Sequence, residues 1–116
     1  MRQTFVFLTL LVPVSHLFAE TGRDEVRFNE HIRPILAETC LACHGPDAEK
    51  READLRLDIE GAAKKSALVP GDPERSELMK RVTSSDPDFR MPPDSEKALN
   101  GRQIELLRRW VEQGAE

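Results

Sequence analysis

The chain has two cysteines. They stand three residues apart in Cys40-Leu41-Ala42-Cys43-His44, with a histidine directly after the second. Residues i and i+3 share one side of a helical turn, so both sulfurs reach one object. His44 is placed to aim its imidazole at that object from the same side. A zinc site wants four ligands, often from two paired knuckles. Here no second cysteine pair exists, and outside the N-terminal leader only His31 accompanies His44. A thioredoxin-type dithiol opens a helix after a strand in a βαβ setting, whereas this pair follows a helix with no parallel-sheet pattern around it. The remaining pattern is one covalent haem c, held by thioethers at Cys40 and Cys43, with His44 on the iron.

A bound macrocycle suits the rest of the chain. At 116 residues the sequence has room for one small domain. Met1-Arg2, the apolar run Phe5 to Val12 broken only by Thr9, and a small Ala19 before Glu20 read as a signal peptide over 1–19. The run is shorter than the ~20 apolar residues of a spanning helix, so cleavage leaves no stable membrane anchor and the domain 20–116 is exported, periplasmic or extracytoplasmic. Beyond the leader the aromatic residues are Phe28, Phe89 and Trp110 alone. A core this poor in aromatics gains from a cofactor that fills volume. The 17 Lys and Arg, one of them Arg2, stand against 21 Asp and Glu with no basic stripe, which excludes nucleic acid as a partner class.

The element pattern is all-α: three to four helices joined by long loops around the haem. Val26 and Phe28 predict a short extended entry, Asn29 an N-cap, and Ile32, Ile35 and Leu36 one helical face that delivers Cys40. Pro34 fits the first turn, where amides lack partners. Gly45-Pro46 stops the chain after His44. Alternation of Leu55, Leu57 and Ile59 with polar residues predicts a few extended residues, and 62–67 a short helical turn. Asp72, Pro73 and Glu74 read as cap, first position and dipole partner of a helix bearing Leu78, Met79 and Val82. Asn100 and Gln103 form a capping box for the last helix, with Ile104, Leu107, Trp110 and Val111 as its stripe and Gly114 as its stop.

A six-coordinate haem takes a second ligand on its far face, and methionine raises the potential by favouring ferrous iron. Met79 sits on an apolar helical face, which core packing explains. Met91 lies in the loop Phe89-Arg90-Met91-Pro92-Pro93, where the following prolines force an extended, stiff backbone. The reading favours Met91, with Met79 and His31 as the alternatives. The propionates call for cationic partners, for which Arg56 and Arg90 are the candidates. Leu55, Leu57, Phe89 and Trp110 are candidate pocket residues, Trp110 serving equally in helix packing.

The segments "FNEHIRPILAETCLACHGPD", "LRLD", "VPGDPERSELMKRV", "RMPP" and "IELLRRWVEQGA" resemble the planctomycete-type cytochrome c domain across nearly the whole exported part. His31 departs from the acidic residue expected there. The resemblance implies a small mono-haem cytochrome c fold, attachment at Cys40 and Cys43, His44 as proximal ligand and Met91 as distal ligand. The function expected is single-electron transfer with redox partner proteins, and no enzyme chemistry of the chain's own. The rival expectations are a sensor with an open sixth site, a haem-bearing head of a larger extracytoplasmic protein with downstream domains, and a thiol–disulfide protein.

Overall fold

The computed structural model describes residues 25–116, so the leader 1–19 lies outside the described residues. Within them the chain is helical and contains no strand. The entry is a π-helical turn, Phe28–Ile32, running directly into α1, Arg33–Thr39. After the cysteine turn and a long loop come α2, Glu60–Ser66, and α3, Glu77–Thr83. A single 3-10 turn, Ser95–Lys97, precedes α4, Gly101–Glu112. No described helix is long and apolar enough to cross a membrane.

The first and last elements close the fold on each other. Ile32, Leu107 and Val111 are fully buried between the entry turn and α4. The Phe28 and Trp110 rings meet at 5.6 Å between centroids, tilted by 39°. The Gln113 side chain then mimics a strand partner: its Oε1 accepts from Val26 N at 2.9 Å and its Nε2 donates to Val26 O at 3.1 Å. α3 packs on α4 from the other side, bringing Leu78, Met79 and Val82 into the same core. α4 is as expected, with Asn100 Oδ1 accepting from Gln103 N and Gln103 Oε1 from Asn100 N. Gly114 ends it at φ +110°, a conformation that suits glycine.

Three expectations need correction. Phe28 is helical rather than extended, and the cap position is Arg27, not Asn29, with no side-chain cap bond. His31 Nδ1 accepts from Arg27 N there instead. Residues 55–59 form no strand; Leu57 N is taken by His44 O at 2.8 Å, a loop-to-turn bond. α3 begins four residues late. Asp72 Oδ1 does accept from Arg75 N, but this makes only a turn. Ser76, fully buried, turns its hydroxyl backwards: it accepts from Val69 N at 2.8 Å and donates to Asp72 O at 2.9 Å. That holds Ser76 at ψ 120°, outside the helix, which starts at Glu77. Replacing Ser76 with Ala leaves two part-buried backbone groups, Val69 N and Asp72 O, without this partner. The expected loss is about 1–3 kcal/mol, read as a lower midpoint in denaturant; an unchanged midpoint contradicts this account of the α3 start.

Candidate functional site

The cysteine turn grows out of the end of α1. Leu36 O accepts from both Cys40 N and Leu41 N at 2.9 Å, ending the helix. Cys40 O then accepts from Cys43 N at 3.2 Å and His44 N at 2.9 Å, starting a new turn that carries all three reactive side chains. Gly45 follows at close quarters: a Cβ there would sit 2.2 Å from Leu41 O. From sequence Gly45 reads only as a stop, because the approach to Leu41 O exists only in the folded turn. The loop after it folds back over the turn. Glu52 N donates to Cys43 O at 2.7 Å, and Arg51 donates from Nε to Gly45 O at 3.0 Å.

That loop also orients the imidazole. His44 Nδ1 lies 3.2 Å from Glu52 O. A carbonyl can only accept, so Nδ1 is the donor in this bond, the tautomer in which a neutral ring presents its Nε2 lone pair to a metal. Neither cysteine is in a disulfide. Cys40 is half-buried and Cys43 exposed. Burial pushes the Cys40 thiol above its ordinary value, against the hydrogen bond to Thr39, while neighbouring Cys43 adds to the rise.

A cavity of about 330 Å³ opens beside the turn, lined by Cys40, His44, Leu55, Leu57, Arg81 and Met91 among others. Further apolar wall comes from Ala67 at the end of α2 and from Leu78 and Val82 on α3. Cys40, His44 and Met91 are thus brought together although Met91 is 47 positions beyond His44 in the chain. The other two candidates for the far-side ligand are elsewhere. Met79 is 2% exposed in the core, and His31 is bonded to Arg27 in the entry turn.

The remaining sequence candidates divide. Arg56 does not line the cavity; its guanidinium forks onto Asp58 at 3.0 and 2.6 Å and holds that carboxyl below its usual range. Arg90 does not line it either, but its buried Nε has no hydrogen-bond partner. Trp110 is buried away from the cavity wall against Phe28, and its Nε1 donates to Glu116 O at 2.8 Å. Phe89 lies beneath the Arg81 guanidinium, 3.9 Å from its ring centroid. Arg51, Glu52 and Arg81 join the site's surroundings, and no sequence signal marks them, because the contacts that place them at the site run to other segments: Arg51 to Gly45 O, Glu52 O to the His44 ring, and Arg81 to Phe89.

The donors fit a haem. Two thiols and an imidazole sit in one turn, the Met91 thioether shares a cavity with Cys40 and His44 while Cys43 stands exposed outside its lining, and the wall is largely aliphatic. Arg90 Nε is a buried donor still lacking an acceptor. No curated protein and no solved structure matches the chain. The profile of one family, described as Planctomycete cytochrome C, matches from Cys40 to Ser95, a span that holds the cysteine turn, α2, α3 and the Met91 loop. Over residues 40–95 the chain is therefore similar to the planctomycete cytochrome C family.

Proposed function

We propose that the protein is an exported mono-haem electron carrier, with its iron held by His44 and Met91. The family implies a c-type cytochrome and haem c; the observation that supports the finer reading is the meeting of Cys40, His44 and Met91 at one cavity. Cys40 and Cys43 anchor the group. Both would hold it covalently, as thioethers to the haem's vinyl substituents. Bound haem supplies a one-electron ferric–ferrous couple. The chain's residues do the rest. Glu52 O fixes the tautomer and orientation of His44 through Nδ1. Leu55, Leu57, Leu78 and Val82 supply apolar wall to the cavity. Arg90 Nε is the donor best suited to a propionate, whereas Arg56 is engaged by Asp58. Redox proteins dock transiently at a small interface.

The test is an absorption spectrum of protein matured in a host with haem-attachment machinery, oxidised and reduced, beside Met91→Ala. The wild type is expected to show covalent haem and, when ferric, the weak far-red band of sulfur–iron ligation. Met91→Ala is expected to keep the haem, lose the band and fall in reduction potential, because a thioether favours ferrous iron. Colourless wild-type protein with both thiols free overturns the proposal. Survival of the band in Met91→Ala overturns the ligand.

A further inference from the structure

We propose that Arg81 is the positioning residue that holds Met91 at the cavity; the proposal rests on the haem reading above. Among the described residues, Arg81 ties the Met91 loop to α3 through both its backbone and its side chain. Its backbone O accepts from Met91 N at 3.1 Å. Its side chain lies over the Phe89 ring, 3.9 Å from the centroid, and Nη1 donates to Phe89 O at 3.3 Å. Nε donates to Glu77 Oε1 at 2.9 Å, one turn back on α3, which fixes the guanidinium plane. One residue of α3 thereby grips the loop at positions 89 and 91, and Arg81 and Glu77 both line the cavity that Met91 faces. Within the loop, Phe89 N and Arg90 N both donate to Asp86 O, and at its start Ser84 N donates to Arg81 O at 3.4 Å.

The chemistry of the grip is particular to arginine. A planar guanidinium can stack on a ring and donate from its edge at the same time, which a lysine ammonium cannot do. Freed from Arg81, residues 84–91 keep their internal turn but lose the side-chain anchors to α3. Met91 then leaves the sixth position for a larger fraction of the time, and an external ligand enters in proportion to that fraction.

The experiment compares wild type, Arg81→Ala, Arg81→Lys and Phe89→Leu as haem-loaded full chains. Haem attachment is read by mass, sulfur ligation by the ferric far-red band, and site opening by the rate at which reduced protein binds carbon monoxide. Arg81→Ala is expected to retain haem, weaken the band and bind carbon monoxide about 10- to 100-fold faster, the loss of a stack and a charge-assisted hydrogen bond. Arg81→Lys is expected to behave like Arg81→Ala. Phe89→Leu, which keeps the carbonyl and loses only the ring, is expected to bind it a few-fold faster. A wild-type rate and band in haem-loaded Arg81→Ala overturns the proposal. If Arg81→Ala does not fold, Phe89→Leu decides, and a wild-type rate there overturns it. Wild type that carries haem without the band removes Met91 as ligand and the proposal with it. Wild type without haem refutes the underlying reading instead.

Discussion

Gly45→Ala is expected to leave little folded, haem-bearing protein. An added Cβ would lie 2.2 Å from Leu41 O, 3.1 Å from Leu41 C and 3.3 Å from Leu41 Cα. All three are backbone atoms, so no rotamer change relieves the contact. Leu41 lies between Cys40 and Cys43, and Gly45 adjoins His44, so whichever side yields moves the attachment turn. Gly45 O is also the acceptor for Arg51 Nε, and a shift there loosens the loop that brings Glu52 O to His44. Overpacking an interior costs about 1–3 kcal/mol and sometimes more, and a backbone overlap this deep belongs at or above the top of that range. Domains of this kind have only about 5–15 kcal/mol to lose. Gly61→Ala is the control. It lies in α2 with nothing within 4 Å of the added methyl, and an alanine there is expected to stabilise by about 0.4–1 kcal/mol. Thermal melting and haem content per chain read both effects. Gly45→Ala with the melting point and haem content of the wild type contradicts the close approach.

The parts of this fold that were legible in sequence are those whose causes are local. Asn100 and Gln103 bond each other three residues apart, and Gly114 needs only its own φ. The helix face of Ile32, Ile35 and Leu36 is read from spacing and is buried as spacing demands. Met91 stands out because nothing helical explains it and prolines stiffen its segment, and the fold carries it to the cavity shared by Cys40 and His44. What could not be read has distant causes. Asp72-Pro73-Glu74 has every local mark of a helix start, yet a buried Ser76 hydroxyl reaches back to Val69, seven residues away, and delays the helix. Arg81 looks like any solvated helix charge until the Phe89 ring is placed beneath it. Gln113 is a polar residue at a helix end until Val26, 87 positions earlier, is brought against it. Arg56 differs, because its cause is local: Asp58, two residues on, takes both ends of its fork, a geometry the spacing alone does not dictate.

Trp110→Ala is expected to destabilise the fold by about 3–5 kcal/mol, the usual loss for a buried Trp or Phe cut to alanine, without altering ligation in the chains that remain folded. Trp110 is 5% exposed and packs its ring on Phe28, so it is the large contact between the entry turn and α4. Its Nε1 bond to Glu116 O adds a second tie at the chain's last residue. Trp110→Phe separates the two contributions. It keeps most of the ring contact and removes the donor, with an expected loss of roughly 0.5–1.5 kcal/mol for the hydrogen bond and little more. Because the chain has one Trp and no Tyr, circular dichroism of the helices is the better readout than fluorescence. The spectroscopic half of the prediction bears on the site. Trp110 lies outside the lining of the cavity that holds Cys40, His44 and Met91, so the far-red band and the carbon monoxide rate of Trp110→Phe should equal those of the wild type. A shifted band in Trp110→Phe, with stability barely changed, means that the indole touches the haem itself; the cavity would then extend past Leu57 toward Phe28, where a smaller pocket of about 130 Å³ is lined by Leu57, Phe28 and Trp110.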